Sequence, residues 1–342
     1  MSTIEVTELL GDGIGPELRE SVYTIAEALP LDLKFIPFDL SLENRESSNS
    51  RDLYEHVYQS MSRTKLAIKY PTVTKSSSPN AVIRRMCNFS VILRPVISIK
   101  GIKSNFTEPL ELYIVRVATG GTYDDPGQMI GKDSAVSLRI VERTPVRQAA
   151  RFAFNMARDK NLSVTSSSKH TIQRTTDGFF QSIVDEVHQD FKEVKHRIEL
   201  FDALLAKIIL KPEDYQVVVV LNEYGDFLSD MACGLIGSIG IGASGNYSFI
   251  TENNVDRVDI AMFDPSGGTA PDIAGQNKCN PTAMLLAFGM MLDQMDRHDL
   301  GHKLRLALFS SIAEGKCTGD IGGKMGTKEF TSLVKDIFKE SL

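Results

Sequence analysis

Two carboxylates set the chemical question in this chain of 342 residues. The stretch 221–230 (LNEYGDFLSD) follows the apolar run Val217–Val220 and puts Asp226 and Asp230 four residues apart. That order predicts a buried strand, a turn at Gly225, and a helix on which both acids project from one face. Acids so close repel unless something positive lies between them, and a hard divalent cation with oxygen ligands is the usual solution. The plainer alternative is a pair of first-turn acids that complements the helix dipole on a solvated face. Complementary charge comes from arginine. Arg94 follows the apolar run 91–93, Arg116 follows 112–115, and Arg84 lies in a helical pattern behind the polar loop 72–78. Arginines at strand ends, where a cleft opens, suit bidentate carboxylate binding, although each taken alone also reads as a surface residue.

The elements that must position these groups alternate. A strand over Ile4–Leu10 runs into Gly11-Asp12-Gly13-Ile14-Gly15-Pro16-Glu17 and a helix over 16–29, with proline well placed in its first turn. The glycine spacing is G-x-G-x-G, not G-x-G-x-x-G, which argues against a Rossmann dinucleotide site. A strand over 66–71 leads through the loop 72–78 to a helix over 80–89. A strand over 133–141 precedes an amphipathic helix over 145–158 with Ala149, Phe152, Ala153 and Met156 inward. Residues 162–169 read as a strand that ends in a serine cluster and Lys169, followed by a helix over 176–187. Asp202 opens a helical segment over 203–210. The glycine-rich apolar run 234–245 reads as tight packing and a turn. A strand over 261–263 leads to a long Gly/Pro-rich loop, 264–281, of a length that is often functional. Helices over 283–295, 304–314 and 328–339 complete an α/β pattern.

Composition narrows the class. With 42% hydrophobic residues the chain can build one large or two ordinary domains. A net charge of -6 argues against nucleic acid as the main partner. Cys87, Cys233, Cys279 and Cys317 form no C-x-x-C pair, so a reducing compartment is expected. No run of about 18 apolar residues suggests a membrane span. A soluble cytoplasmic protein is the expectation, and a mitochondrial matrix protein stripped of its transit peptide would look the same.

Several separated stretches, taken in order, resemble the β-decarboxylating dehydrogenases, the family of isocitrate and 3-isopropylmalate dehydrogenases. They are GDGIGPE (11–17), Arg94-Pro95, YIVR (113–116), Thr176-Asp177-Gly178, YGDFLSD (224–230), GTAPDIAG (268–275) and Asn280-Pro281. The resemblance implies a two-domain α/β fold, distinct from the Rossmann fold, with the active site in the interdomain cleft. Residues 1–92 and 245–342 would form a large cofactor-binding domain, and 93–244 a small domain with the dimer interface and the metal-binding acids. A homodimer with shared active sites, or a higher oligomer, is implied too.

Carried over residue by residue, Asp226 and Asp230 would bind magnesium or manganese together with Asp202 of the neighbouring subunit. Arg84, Arg94 and Arg116 match the arginines that hold substrate carboxylates. Tyr123 matches the catalytic tyrosine, and Lys169 the catalytic lysine reached across the dimer. Ser78 and Asn80, six and four residues before Arg84, match the pair that binds the distal carboxylate in isocitrate-specific members. NAD would bind along Ile14, Thr74, Gly268, Thr269, Ala270, Asp272, Ile273 and Asn280, with Asp272-Ile273 of the type that excludes a 2′-phosphate. The chain departs from the family at Gly267, where a histidine is usual, at Thr171, where an asparagine is usual, and at Val117-Ala118, where Glu-Asn follows the arginine.

The implied activity is metal-dependent oxidative decarboxylation of isocitrate, or of a similar 2-hydroxy acid with an anionic β-substituent, with reduction of NAD. The alternatives are the same reaction on homoisocitrate, 3-isopropylmalate or a phosphonate analogue, and a non-catalytic regulatory subunit.

Overall fold

Runs of branched apolar residues joined by polar, glycine-containing turns build a single ten-stranded sheet with helices on both faces. The computed structural model describes residues 3–47, 50–75, 78–106, 108–253 and 255–342. In chain order the elements are β1 (Ile4–Leu10), α1 (Gly15–Ala26), β2 (Leu33–Asp39), α2 (Leu42–Arg45), α3 (Ser50–Thr64), β3 (Leu66–Lys69), α4 (Pro79–Met86), β4 (Val91–Ile97), β5 (Glu111–Val117), β6 (Gln128–Ile130), β7 (Ser134–Val136), α5 (Arg143–Lys160), β8 (Val164–Ser168), α6 (Thr176–His188), β9 (His196–Leu200), α7 (Phe201–Leu210), β10 (Val217–Val220), α8 (Asn222–Ile236), β11 (Ala243–Glu252), β12 (Val255–Pro265), α9 (Thr282–Gln294), α10 (His298–Ala313) and α11 (Thr327–Ser341).

The strand order is β2-β1-β3-β12-β11-β4-β5-β10-β8-β9. Its centre, β12-β11-β4-β5, is antiparallel, and both flanks are parallel. β10 lies between β5 and β8, and all four of its valines are buried, as a covered strand in a parallel flank requires. Alternation sorts the core into two clusters. On β12, Ala261 and Phe263 join the larger one, while Ile260 and Met262 join a smaller one with Val57, Met61 and Ile83. No helix among the described residues is long and apolar enough to cross a membrane.

Four local expectations are corrected. Gly225 makes no turn but lies inside α8, where a Cβ would stand 2.6 Å from the Arg116 Cβ. The glycine is there to let an arginine pass. The strand expected over 133–141 shrinks to β7, which pairs with β6, and to Ile140, which bridges Gly121; Leu138 is 66% exposed, while Val141 packs against the larger core cluster. The strand over 261–263 is the end of an eleven-residue strand, β12, that forms a hairpin with β11. On α5, Ala149 and Ala153 are buried as expected, but Phe152 and Met156 are only half-buried, and Val146, Ala150, Phe154 and Ala157 complete the inward face.

Candidate active site

The site grows from the carboxyl end of β10, where α8 starts. Pairing sets Arg116 opposite Val220, so its side chain emerges beside the first turn of α8. The Arg116 Nε donates to Asn222 Oδ1 at 2.9 Å, and its Nη1 is paired with Asp226. Arg94, on β4, lies between the two acids of α8: its Nη1 is 3.1 Å from Asp226 Oδ1 and 3.4 Å from Asp230 Oδ1, and donates to Ser229 Oγ at 2.6 Å. Tyr123 donates its hydroxyl to Asp226 Oδ2 at 3.1 Å, while the Arg116 guanidinium lies over its ring.

These contacts set the protonation states. Burial pushes the Asp226 carboxyl up, but Arg116 and Arg94 outweigh it and hold the group below the usual range. Burial and Asp226 raise Asp230 and Tyr123, with Arg94 opposing at the former. Arg116 is brought down to about 9 by burial and by its neighbours Arg94 and Arg84. Two guanidiniums, of Arg94 and Arg116, thus share the Asp226 carboxylate, with Arg84 nearby.

They open onto a cleft of about 830 Å³. Ser78 caps α4 by accepting from the Ala81 N–H at 3.4 Å, and the helix carries Asn80 and Arg84 one turn apart on its cleft side. Asn80 Oδ1 and Arg84 Nε are buried there without a hydrogen-bond partner among the described residues. Ser78, Asn80, Arg84, Arg94, Arg116, Tyr123 and Asp226 therefore share one cavity wall. An adjoining cavity of about 180 Å³ is lined by Lys69, Asp264, Gly267 and Gly268. Burial lowers Lys69 to about 8, with Asp264 opposing. Sequence reading missed this lysine, whose signal is a charge at the end of an otherwise apolar strand.

Lys169 and Asp202 are elsewhere. Lys169, just past β8, puts its Nζ 2.6 Å from Asp202 Oδ1 at the start of α7, and its N–H donates to Asp177 Oδ2 at 2.6 Å. Asp177 also accepts from the Tyr224 hydroxyl and pairs with Arg139, which reaches the buried Glu223 at 2.7 Å. The last two residues were also missed. No three acids, histidines or cysteines among the described residues come together as a metal site. Asp226 and Asp230 offer hard oxygen donors of the kind magnesium and manganese take, so the donor chemistry fits, with the third carboxylate still to be supplied.

Of the residues expected to bind NAD, those at 14 and 268–273 are joined by a strap. The Ile14 N–H donates to the Thr269 carbonyl at 2.9 Å, and Glu17 accepts from the N–H groups of Gly275 and Asn277, each at 2.8 Å. This fixes the loop carrying Gly268, Thr269, Ala270, Asp272 and Ile273 onto the turn at 11–17. Asn280 leads into α9 and donates to Asp320 Oδ2 at 3.0 Å. Thr74 is exposed on the loop after Val73. A Cβ at Gly267 would meet nothing within 4 Å.

Residues 5–334 match the family described as isocitrate/isopropylmalate dehydrogenase. The chain belongs to that family. Among relatives of the isocitrate/isopropylmalate dehydrogenases, the mitochondrial NAD isocitrate dehydrogenase subunit alpha of Rattus norvegicus is 33% identical over 335 residues, 96% of this chain and 89% of that one. The 3-isopropylmalate dehydrogenase of Methanothermobacter thermautotrophicus is 32% identical over 335 residues, 98% of both chains. The crystal structure of isocitrate dehydrogenase from Methylococcus capsulatus superposes with a TM-score of 0.89 at 27% identity, covering 98% of this chain and 99% of that one. The α/β fold with its large central sheet is that of isocitrate dehydrogenase structures, and a Rossmann fold is not indicated. The relatives divide between isocitrate and 3-isopropylmalate enzymes, so substrate must be argued from the cleft.

Proposed function

We propose that this family member oxidises and decarboxylates isocitrate, or a similar 2-hydroxy acid with an anionic β-substituent, and reduces NAD. One observation carries the substrate class: Arg84, Arg94 and Arg116 face one cleft, and Asn80 Oδ1 and Arg84 Nε there lack hydrogen-bond partners among the described residues. Such a wall is complementary to several carboxylates. An isopropyl branch would strand those polar groups at about 1–3 kcal/mol each.

In this reading the three arginines hold and orient the substrate carboxylates, and Ser78 and Asn80 meet the β-substituent. Magnesium or manganese, when held by Asp226, Asp230 and the Asp202 of a second copy, supplies the Lewis acidity that makes the substrate hydroxyl acidic and steadies the negative charge left by loss of carbon dioxide. Lys169 of the second copy takes up the hydroxyl proton, and Tyr123, kept protonated by burial and Asp226, returns one to carbon. The strapped loop would hold NAD, which would supply the hydride acceptor, with Asp272 next to Ile273 disfavouring a 2′-phosphate by charge. Residues 1–92 with 245–342 would carry the nucleotide, and 93–244 the acids and the contact with the second copy. A homodimer is the minimal assembly.

A non-catalytic regulatory subunit is the second reading, favoured by Ala118 in the cleft wall and by the open space at Gly267. A panel of isocitrate, homoisocitrate, 3-isopropylmalate and a phosphonate analogue, assayed for NADH and NADPH formation with magnesium, separates these readings. NADH formation with a charged β-substituent is expected to lead by about ten- to a hundredfold. Preference for 3-isopropylmalate or for NADP overturns the substrate or the cofactor assignment. Isocitrate binding without any turnover favours the regulatory subunit.

A further inference from the structure

On the opposite face of β4 from the arginine cleft lies a second cavity, of about 390 Å³, between α5 and the pair α9 and α10. Strand alternation makes the division: Arg94 faces the arginine cleft, while Leu93 and Pro95 face this cavity. Its size is at the lower end for small-molecule sites, about 300–1,000 Å³. Tyr113, Phe152, Tyr247 and Phe309 give it aromatic walls.

Beside Gln294, His298 and the Asp293–Arg305 pair, two polar groups of this wall can meet an anion. Tyr247 is 5% exposed, and its hydroxyl makes no hydrogen bond to the protein among the described residues. The ring is held by Phe152 at 5.2 Å and Phe263 at 5.9 Å, and its hydroxyl passes so near Gly245 that a Cβ there would be 2.6 Å away. Lys160, at the end of α5, lines the same cavity and has no acidic partner among the described residues, its ammonium lying 5.2 Å from the Tyr113 ring centre. The one acid in the wall, Asp293, is already bound by Arg305 through two hydrogen bonds of 2.7 and 3.1 Å. The cavity thus offers aromatic surface, the hydroxyl of a buried tyrosine and the cation of the exposed Lys160.

We infer that this cavity is a binding site for a small monocarboxylate with an apolar, aromatic body, whose carboxylate is recognised by Lys160 and the Tyr247 hydroxyl. Its occupant is chemically unlike the polyanionic substrate of the arginine cleft, so the inference stands apart from the proposed activity.

Calorimetric titration of the full chain with 4-phenylbutyrate tests it, with 4-phenylbutylamine as the charge-reversed control. One saturable site per chain is expected, at least about tenfold weaker for the amine and for Tyr247→Phe and Lys160→Gln proteins, as for lost hydrogen bonds to a charged group. Thermal midpoints matching the unmodified protein show that the variants are folded. Weakening in either folded variant supports the assignment. Absence of saturable binding, equal binding of the amine, or unchanged affinity in both variants overturns it, the last by leaving the arginine cleft as the site of binding.

Discussion

Arg94 is the cation that the spacing of Asp226 and Asp230 calls for: in this chain a guanidinium stands between them. The acid pair was legible because four residues on a helix fix a common face. Its partners were not, since pairing between β4, β5 and α8 is a property of the sheet rather than of any local run. Asp226→Asn keeps an oxygen acceptor but removes the negative charge that Arg94 and Arg116 share, replaces one of the two carboxylate oxygens by an amide nitrogen, and weakens one proposed metal donor. Turnover is expected to fall by at least about a hundredfold, read from initial rates at saturating substrate and metal. Lys69 gives a pH signature. Its pKa of about 8 in the fold is below its ordinary 10.5, so the unfolded chain binds more protons between those values and stability rises with pH across that window. The penalty is fully present below pH 8. Lys69→Met should therefore stabilise the protein at pH 7 by at most about 3 kcal/mol, with the gain vanishing by about pH 10.5. Denaturant unfolding at both pH values checks this.

Elements with one buried apolar face were readable, and those whose partner lies far along the chain were not. β10 and β1 have the continuous or alternating apolar runs of covered strands, and α6, α9 and α11 begin and end within a residue or two of expectation. β2 contains Pro37 at the sheet edge and was not read as a strand, as proline in a strand obscures the pattern. β11 and most of β12 were hidden because their outer halves are polar and pair only with each other. Gly225 was misread for a related reason: a glycine admits a turn or a close approach, and only the position of Arg116 decides between them. Gly225→Ala forces its new methyl into the Arg116 side chain. A loss of about 1–3 kcal/mol in stability is expected, with a larger fractional loss in affinity for anionic substrate than in turnover. Thermal unfolding and the separate KM and kcat values test the two parts.

At the scale of the molecule, the proposed catalytic groups fall into two sets that do not meet within one chain. Asp226, Asp230 and Tyr123 form one, Lys169 and Asp202 the other. Apolar surface on the β6–β7 hairpin and at Phe227 on α8 is exposed in the isolated chain, as expected of a surface that a second copy covers. Mixing inactive Lys169→Met protein with inactive Tyr123→Phe protein under subunit exchange should restore part of the activity. Verified mixed dimers without recovery would count against a composite site.

The central claim is a metal-dependent oxidation coupled to loss of carbon dioxide. Its most direct test is to measure NADH and carbon dioxide together, with isocitrate, NAD and magnesium, and again after chelation. Equal amounts of both products are expected with the metal and neither without it. Unchanged product formation in excess chelator, NADH without carbon dioxide, or no reaction with isocitrate, homoisocitrate or the phosphonate analogue would contradict it.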